Sequence, residues 1–142
     1  MSTFEDKIHF YVGGSKVLVA SGTNSDKTSE IIDLEDASFQ CTVNQYPTSA
    51  YAATGGLVGN TPIICGGSLD GGSEISCYSL KEDGAWQDEA NLNAARRSAS
   101  TGTVIINNKL VIAGGYNGGN LDTIEVVASN TKSATLPIKL PV

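Results

Sequence analysis

Short apolar runs broken by glycine, asparagine or serine recur along the chain in one form. The first is Ile8-His9-Phe10-Tyr11-Val12, a turn at Gly13-Gly14-Ser15-Lys16, then Val17-Leu18-Val19-Ala20 closing on Ser21-Gly22. The second is Gly56-Leu57-Val58, a turn at Gly59-Asn60-Thr61, then Pro62-Ile63-Ile64-Cys65 closing on Gly66-Gly67. The third is Thr103-Val104-Ile105-Ile106, a turn at Asn107-Asn108-Lys109, then Leu110-Val111-Ile112-Ala113 closing on Gly114-Gly115. Runs this short, rich in Val and Ile and bounded by turn formers, predict paired strands. No segment sustains a 3.6-residue period with caps. Asp83 to Arg97, with Ala90, Leu92 and Ala94, comes nearest to a helix and reads better as a strand followed by a connection.

The units are evenly spaced: Gly22 to Gly67 is 45 residues and Gly67 to Gly115 is 48. Repeats of ~40–50 residues are those of a four-stranded propeller blade. After each small pair comes a polar loop and a third run: Glu30-Ile31-Ile32-Asp33-Leu34, Glu74-Ile75-Ser76-Cys77-Tyr78 and Thr123-Ile124-Glu125-Val126-Val127. Leu34, Tyr78 and Val127 follow the last glycine of their repeats by 12, 11 and 12 residues, so they are expected to be equivalent. Fourth strands are expected at Phe39-Gln40-Cys41-Thr42-Val43, Ala85-Trp86-Gln87 and Lys132-Ser133-Ala134-Thr135-Leu136. Asn44 to Ala53 and Asn91 to Ser100 then lead from one unit to the next. The expected organisation is a single array over residues 1–142, with units near 8–43, 54–88 and 102–136.

A paired glycine closing the second strand, an aromatic in the third and a tryptophan in the fourth resemble the kelch repeat. The second unit carries all three, as Gly66-Gly67, Tyr78 and Trp86. The third keeps Gly114-Gly115 with Val127 in place of the tyrosine, and the first has Ser21-Gly22, Leu34 and Phe39. The resemblance implies an all-β fold of three four-stranded antiparallel kelch-type β-propeller blades, half of a six-bladed ring. It gives Gly22, Gly66, Gly67, Gly114, Gly115, Tyr78 and Trp86 structural roles. Glycines admit close backbone approach, and the two aromatics fill the gap between blades. Closed propellers have ~4–8 blades, so three leave apolar faces at both ends of the array. Head-to-tail pairing of two copies, a place within a longer propeller, or an open half-ring each answers that, and a homodimer is the expectation.

Composition narrows the function. Hydrophobic residues make up 40% and charged ones 17%, a globular balance rather than a disordered one. The net charge is −6 with nine Lys and Arg and no basic stripe, which argues against nucleic acid. No apolar run reaches the length of a membrane span. Met1 to Asp6 lacks the form of a signal peptide, and no Asn-x-Ser/Thr acceptor occurs. Three cysteines, Cys41, Cys65 and Cys77, make an odd count without paired spacing, so they read as buried free thiols. Together these favour an intracellular, cytoplasmic chain.

The candidate binding residues lie in the loops after the small pairs: Asn24 and Asp26, Asp70, and Tyr116 and Asn117. In kelch propellers such loops gather on one face and contact partners. Any one of them is equally a turn, yet loops on a rigid scaffold are where binding usually sits. Arg96 and Arg97, the one adjacent basic pair, precede an inner strand, where a guanidinium suits a carboxylate or acidic peptide. The expected function is a non-catalytic module holding a protein or peptide partner on the loop face, without metal or cofactor. A sugar-acid mutarotase or epimerase is the catalytic alternative, resting on Arg96, Arg97, Glu30 and Glu74. A purely structural half-ring, self-assembling or engineered, is the other. His9 stands alone, short of the two histidines that the copper radical oxidases of this fold require. No zinc spacing, nucleophile elbow or phosphate loop occurs.

Overall fold

A computed structural model describes residues 7–23, 26–39, 41, 43–99 and 102–141. Among these there is no α-helix, and none is therefore long and apolar enough to cross a membrane. The strands are β1 (Ile8–Gly13), β2 (Lys16–Ala20), β3 (Ser29–Asp33), β4 (Thr54–Val58), β5 (Thr61–Cys65), β6 (Ser68–Leu69), β7 (Gly72–Ser73), β8 (Cys77–Leu80), β9 (Trp86–Glu89), β10 (Thr103–Ile106), β11 (Lys109–Ala113), β12 (Thr123–Ala128) and β13 (Thr131–Lys139). They form antiparallel sheets in the orders β1-β2-β3, β4-β5-β8-β9 and β10-β11-β12-β13, with β6-β7 a short hairpin inside the loop after Gly67. The inner strand β4 packs against both β1 and β10, so three like-built sheets stand side by side.

Each sheet buries both faces where it has a neighbour. Phe10, Leu18 and Ile31 share one row of the first sheet and pack with Ile64 and Leu80 of the second. On its other side the second sheet presents Ile63, Cys65 and Cys77 to Leu110, Ile112 and Val127 of the third. Tyr46, in the first connection, is 1% exposed and fills the centre of the first interface. Tyr78 and Trp86 meet it edge to face, at 5.3 and 4.9 Å between centroids. These edge-on contacts place the positive ring edge on the negative face. The Trp86 indole N–H donates to the Asn44 carbonyl at 3.0 Å, so its polar atom is satisfied.

The small pairs are built alike. The first member is left-handed in all three sheets, with φ of 58° at Ser21, 68° at Gly66 and 74° at Gly114. Serine carries the strain at the first because its hydroxyl donates to the Ala50 carbonyl at 2.6 Å. The second member lets a connection lie against the loop. A Cβ on Gly67 would come within 2.9 Å of the Tyr51 carbonyl oxygen, and one on Gly115 within 2.9 Å of that of Arg97.

Three expectations need correction. The strand register pairs Val19 with Glu30, Ile64 with Tyr78 and Ile112 with Glu125. The equivalent third-strand positions are therefore Glu30, Tyr78 and Glu125, not Leu34, Tyr78 and Val127. Leu34 is 73% exposed beyond the end of β3. The first sheet has three strands among the described residues. Asp33 accepts from the Glu35 amide and the Ser15 hydroxyl, and Asp36 accepts from Ser38, so two successive side-chain turns lead the chain off the sheet edge. Phe39 lies instead under the Lys16 ammonium, 4.6 Å from the ring centroid, while Gln40 and Thr42 lie outside the described residues.

The third correction concerns the thiols. Cys65 and Cys77 are register partners on β5 and β8 and are joined by a disulfide. Both are buried, 0% and 1% exposed, whereas the free Cys41 is exposed. This removes the cysteine part of the case for an intracellular chain, since disulfides persist in oxidising compartments.

Candidate functional site

The ends of β2, β5 and β11 carry their loops to the same end of the array at which β1, β4 and β10 begin. There the connections cross over the loops. Tyr51 pairs with Ser68, and Arg97 pairs with Tyr116, each as an antiparallel bridge. The Ser98 amide donates to the Ala52 carbonyl at 2.9 Å, tying one connection to the next.

Arg97 is the centre of this face. Its Nη1 donates to the Ser68 hydroxyl at 2.9 Å and the Gly71 carbonyl at 3.1 Å, both in the loop after Gly67. Its guanidinium carbon lies 5.1 Å from the Tyr116 ring centroid, in the loop after Gly115, a cation–π distance. Ser73 completes the link by donating to the Tyr116 carbonyl at 3.0 Å. One half-buried arginine thus holds two loops of neighbouring sheets and keeps part of its fork toward solvent. Asp70 and Asn117 are exposed at the two loop tips, and Tyr116 is 38% exposed between them.

Arg96 does not share this face, which corrects its place among the binding candidates. Its side chain is fully buried between the second connection and β12, as is that of Glu125, with 2.6 Å between Nη2 and Oε1. Nη1 donates to the Gly114 carbonyl at 2.6 Å and Nη2 to Thr123 Oγ1 at 2.9 Å. Glu125 also accepts from the amides of Asn93 at 2.7 Å and Ala94 at 3.0 Å and from the Ser133 hydroxyl at 3.2 Å. Consecutive residues of one extended connection point oppositely, so only one of two adjacent arginines can face the loops.

In the first loop, Lys7 Nζ lies 2.5 Å from Asp26, with the Lys7 side chain almost wholly buried. That hydrogen bond, with the Thr28 hydroxyl and amide, holds the Asp26 carboxyl down at about 2. Asn24 lies outside the described residues. Beside this pair a recess of about 490 Å³ opens among the beginnings of the inner strands, lined by Lys7 to Phe10, Ala52 to Gly55 and Thr103. Thr54 donates to Thr103 across it at 2.6 Å. His9 is exposed at its rim.

The proposed catalytic set is not gathered. Arg96 is sealed against Glu125, and Glu30 lines a separate recess with Asp33 and Phe39. Glu74 meets Arg96 through main-chain atoms. Among the described residues no cluster of three or more His, Cys, Asp or Glu is arranged to hold a metal. Sequence reasoning missed Tyr46 and Glu125. The last carried a signal: a carboxylate alternating into the buried side of an apolar run needs a partner, and Arg96 was available.

A kelch motif model matches residues 97–127, which run from the face arginine through the third glycine pair into β12. A solved structure titled "Structure of YjhT" superposes with a TM-score of 0.74 at 13% identity, over 92% of this chain and 45% of that one. The chain thus spans less than half the length of that neighbour. No curated protein matches the sequence. Identity this low speaks to fold alone, since one fold hosts many functions. With its repeated glycine pairs and matching sheets, the chain has a kelch-type β-propeller fold and carries a kelch motif at residues 97–127.

Proposed function

We propose that the chain is a non-catalytic binding module that holds an acidic stretch of a protein or peptide partner on its loop face. The observation that carries this reading is Arg97. It is anchored by Ser68 and Gly71, stacked on Tyr116, and still half open to solvent. A guanidinium fixed on two sides loses little freedom when a third group binds, and its planar fork matches a carboxylate. Tyr116 offers an apolar surface beside the charge, the combination favoured at interface anchors. A second cation at this end, Lys7, is already neutralised by Asp26.

The test is a screen of immobilised peptides followed by titration of the best binder. A charge-assisted hydrogen bond contributes about 1.5–3 kcal/mol, so Arg97→Ala should weaken an acidic peptide about 10- to 100-fold. Arg97→Lys should restore little of it, because the ammonium lacks the fork. Lys132→Ala, on exposed β13, serves as the control and should leave affinity unchanged. Equal affinity in wild type and Arg97→Ala, with both folded, defeats the reading. So does turnover of a sugar acid by the purified chain.

A further inference from the structure

Six rows of side chains, two per sheet, decide what each sheet face can meet. On the side that faces back along the chain, the rows are Tyr11–Val17–Ile32, Leu57–Pro62–Leu80 and Ile105–Leu110–Val127. On the forward side they are Phe10–Leu18–Ile31, Gly56–Ile63–Ser79 and Val104–Val111–Val126. The middle row of the forward side is covered from within. Ile63 and Ser79 are 0% exposed, and Ile105 and Leu110 of the third sheet lie close over Gly56. Forward rows therefore take backward rows, wherever both are present.

Two rows are left without a counterpart among the described residues. Val104–Val111–Val126 is apolar throughout and continues onto β13 as Ala134. Val104 and Ile106 are 52% and 51% exposed, although Val58, the equivalent of Ile106, is 6% exposed. At the other end of the array Tyr11 is 59% exposed, with Val17 and Ile32 half-buried behind it. Exposed contiguous apolar faces of this kind mark association surfaces.

We infer that the Val104–Val111–Val126 face docks on the Tyr11–Val17–Ile32 face of a second copy of this chain. The occupant follows from the internal pairing: the matching backward row, equally apolar and equally uncovered, is carried by the chain itself. The contact is head-to-tail, and each copy supplies one of each face. With three sheets per copy, two copies close a ring, so the assembly stops at a dimer rather than growing into a fibre.

Light scattering behind size exclusion, on the 142-residue chain at micromolar concentration, tests this. Twice the chain mass is expected. Val126→Glu, central to the forward face, should halve it. Tyr11→Glu should do the same, and this variant separates the arrangements. A dimer joined through two Val126 faces would survive Tyr11→Glu, whereas the head-to-tail dimer would not. Far-UV circular dichroism checks that each variant keeps its sheets. A wild-type monomer across the range, open higher oligomers, or a Tyr11→Glu dimer overturns the inference. Peptide binding through Arg97 does not depend on this contact, so the two proposals fail separately.

Discussion

Arg96→Ala is expected to lower the stability of the chain by about 3 kcal/mol, the low end of the about 3–5 kcal/mol that follows when one partner of a buried ion pair is removed. The arginine and Glu125 are both fully buried. Truncation strands the carboxylate in a site that water does not reach, and it frees the Gly114 carbonyl that Arg96 satisfies. The low end applies because Glu125 keeps two main-chain amides and the Ser133 hydroxyl. The double variant Arg96→Met with Glu125→Leu should lie nearer wild type than the single, since an apolar pair of similar volume removes both charges together. Urea unfolding reads both. An unchanged midpoint in Arg96→Ala would show that the pair is not sealed and that the second connection does not pass between the sheets. The same variant should weaken peptide binding, because Arg96 fixes the backbone that presents Arg97.

Reduction of the Cys65–Cys77 bond is expected to cost about 3 kcal/mol, the amount a cross-link contributes by restraining an unfolded loop of this length. The bond closes 12 residues of separation and sits at the root of the loop that Arg97 grips. Its loss should therefore also speed amide exchange across residues 66–76. The clean comparison is the wild-type chain unfolded in urea with and without reductant. Cys65→Ala with Cys77→Val, chosen to resemble Ala113 and Ile124 at the equivalent sites of the third sheet, should match the reduced form without placing polar hydroxyls in the core. Identical midpoints for oxidised and reduced chain would mean that the two sulfurs are not bonded in solution.

The strands were legible because turn chemistry and β-branched runs are local properties. The glycine pairs were legible because each marks a left-handed residue and a close approach. Register was not. An alternating pattern says which residues share a face, yet a shift between strands changes every partner. Counting 11 or 12 residues from the last glycine put Leu34 and Val127 beside Tyr78, whereas hydrogen bonding puts Glu30 and Glu125 there. The same gap hid the disulfide, since Cys65 and Cys77 are neighbours only once β5 and β8 are aligned. It also left the two arginines undivided, because which of them turns inward depends on where Glu125 falls. Tyr46 was missed for another reason: it sits in a connection, where no periodicity announces burial. That Phe39, Cys41 and Val43 lie outside any strand shows turn signals at Asp33 and Asp36 prevailing over an apolar alternation.

The central claim is that the loops after positions 67 and 115 meet on one face through Arg97. Nuclear Overhauser contacts of the Tyr116 ring test it most directly. The structure predicts contacts from that ring to the Arg97 side chain, and from the Ser98 amide to residue Ala52. A Tyr116 ring without contact to Arg97, in a chain whose β5–β8 and β11–β12 pairings are otherwise intact, would contradict it.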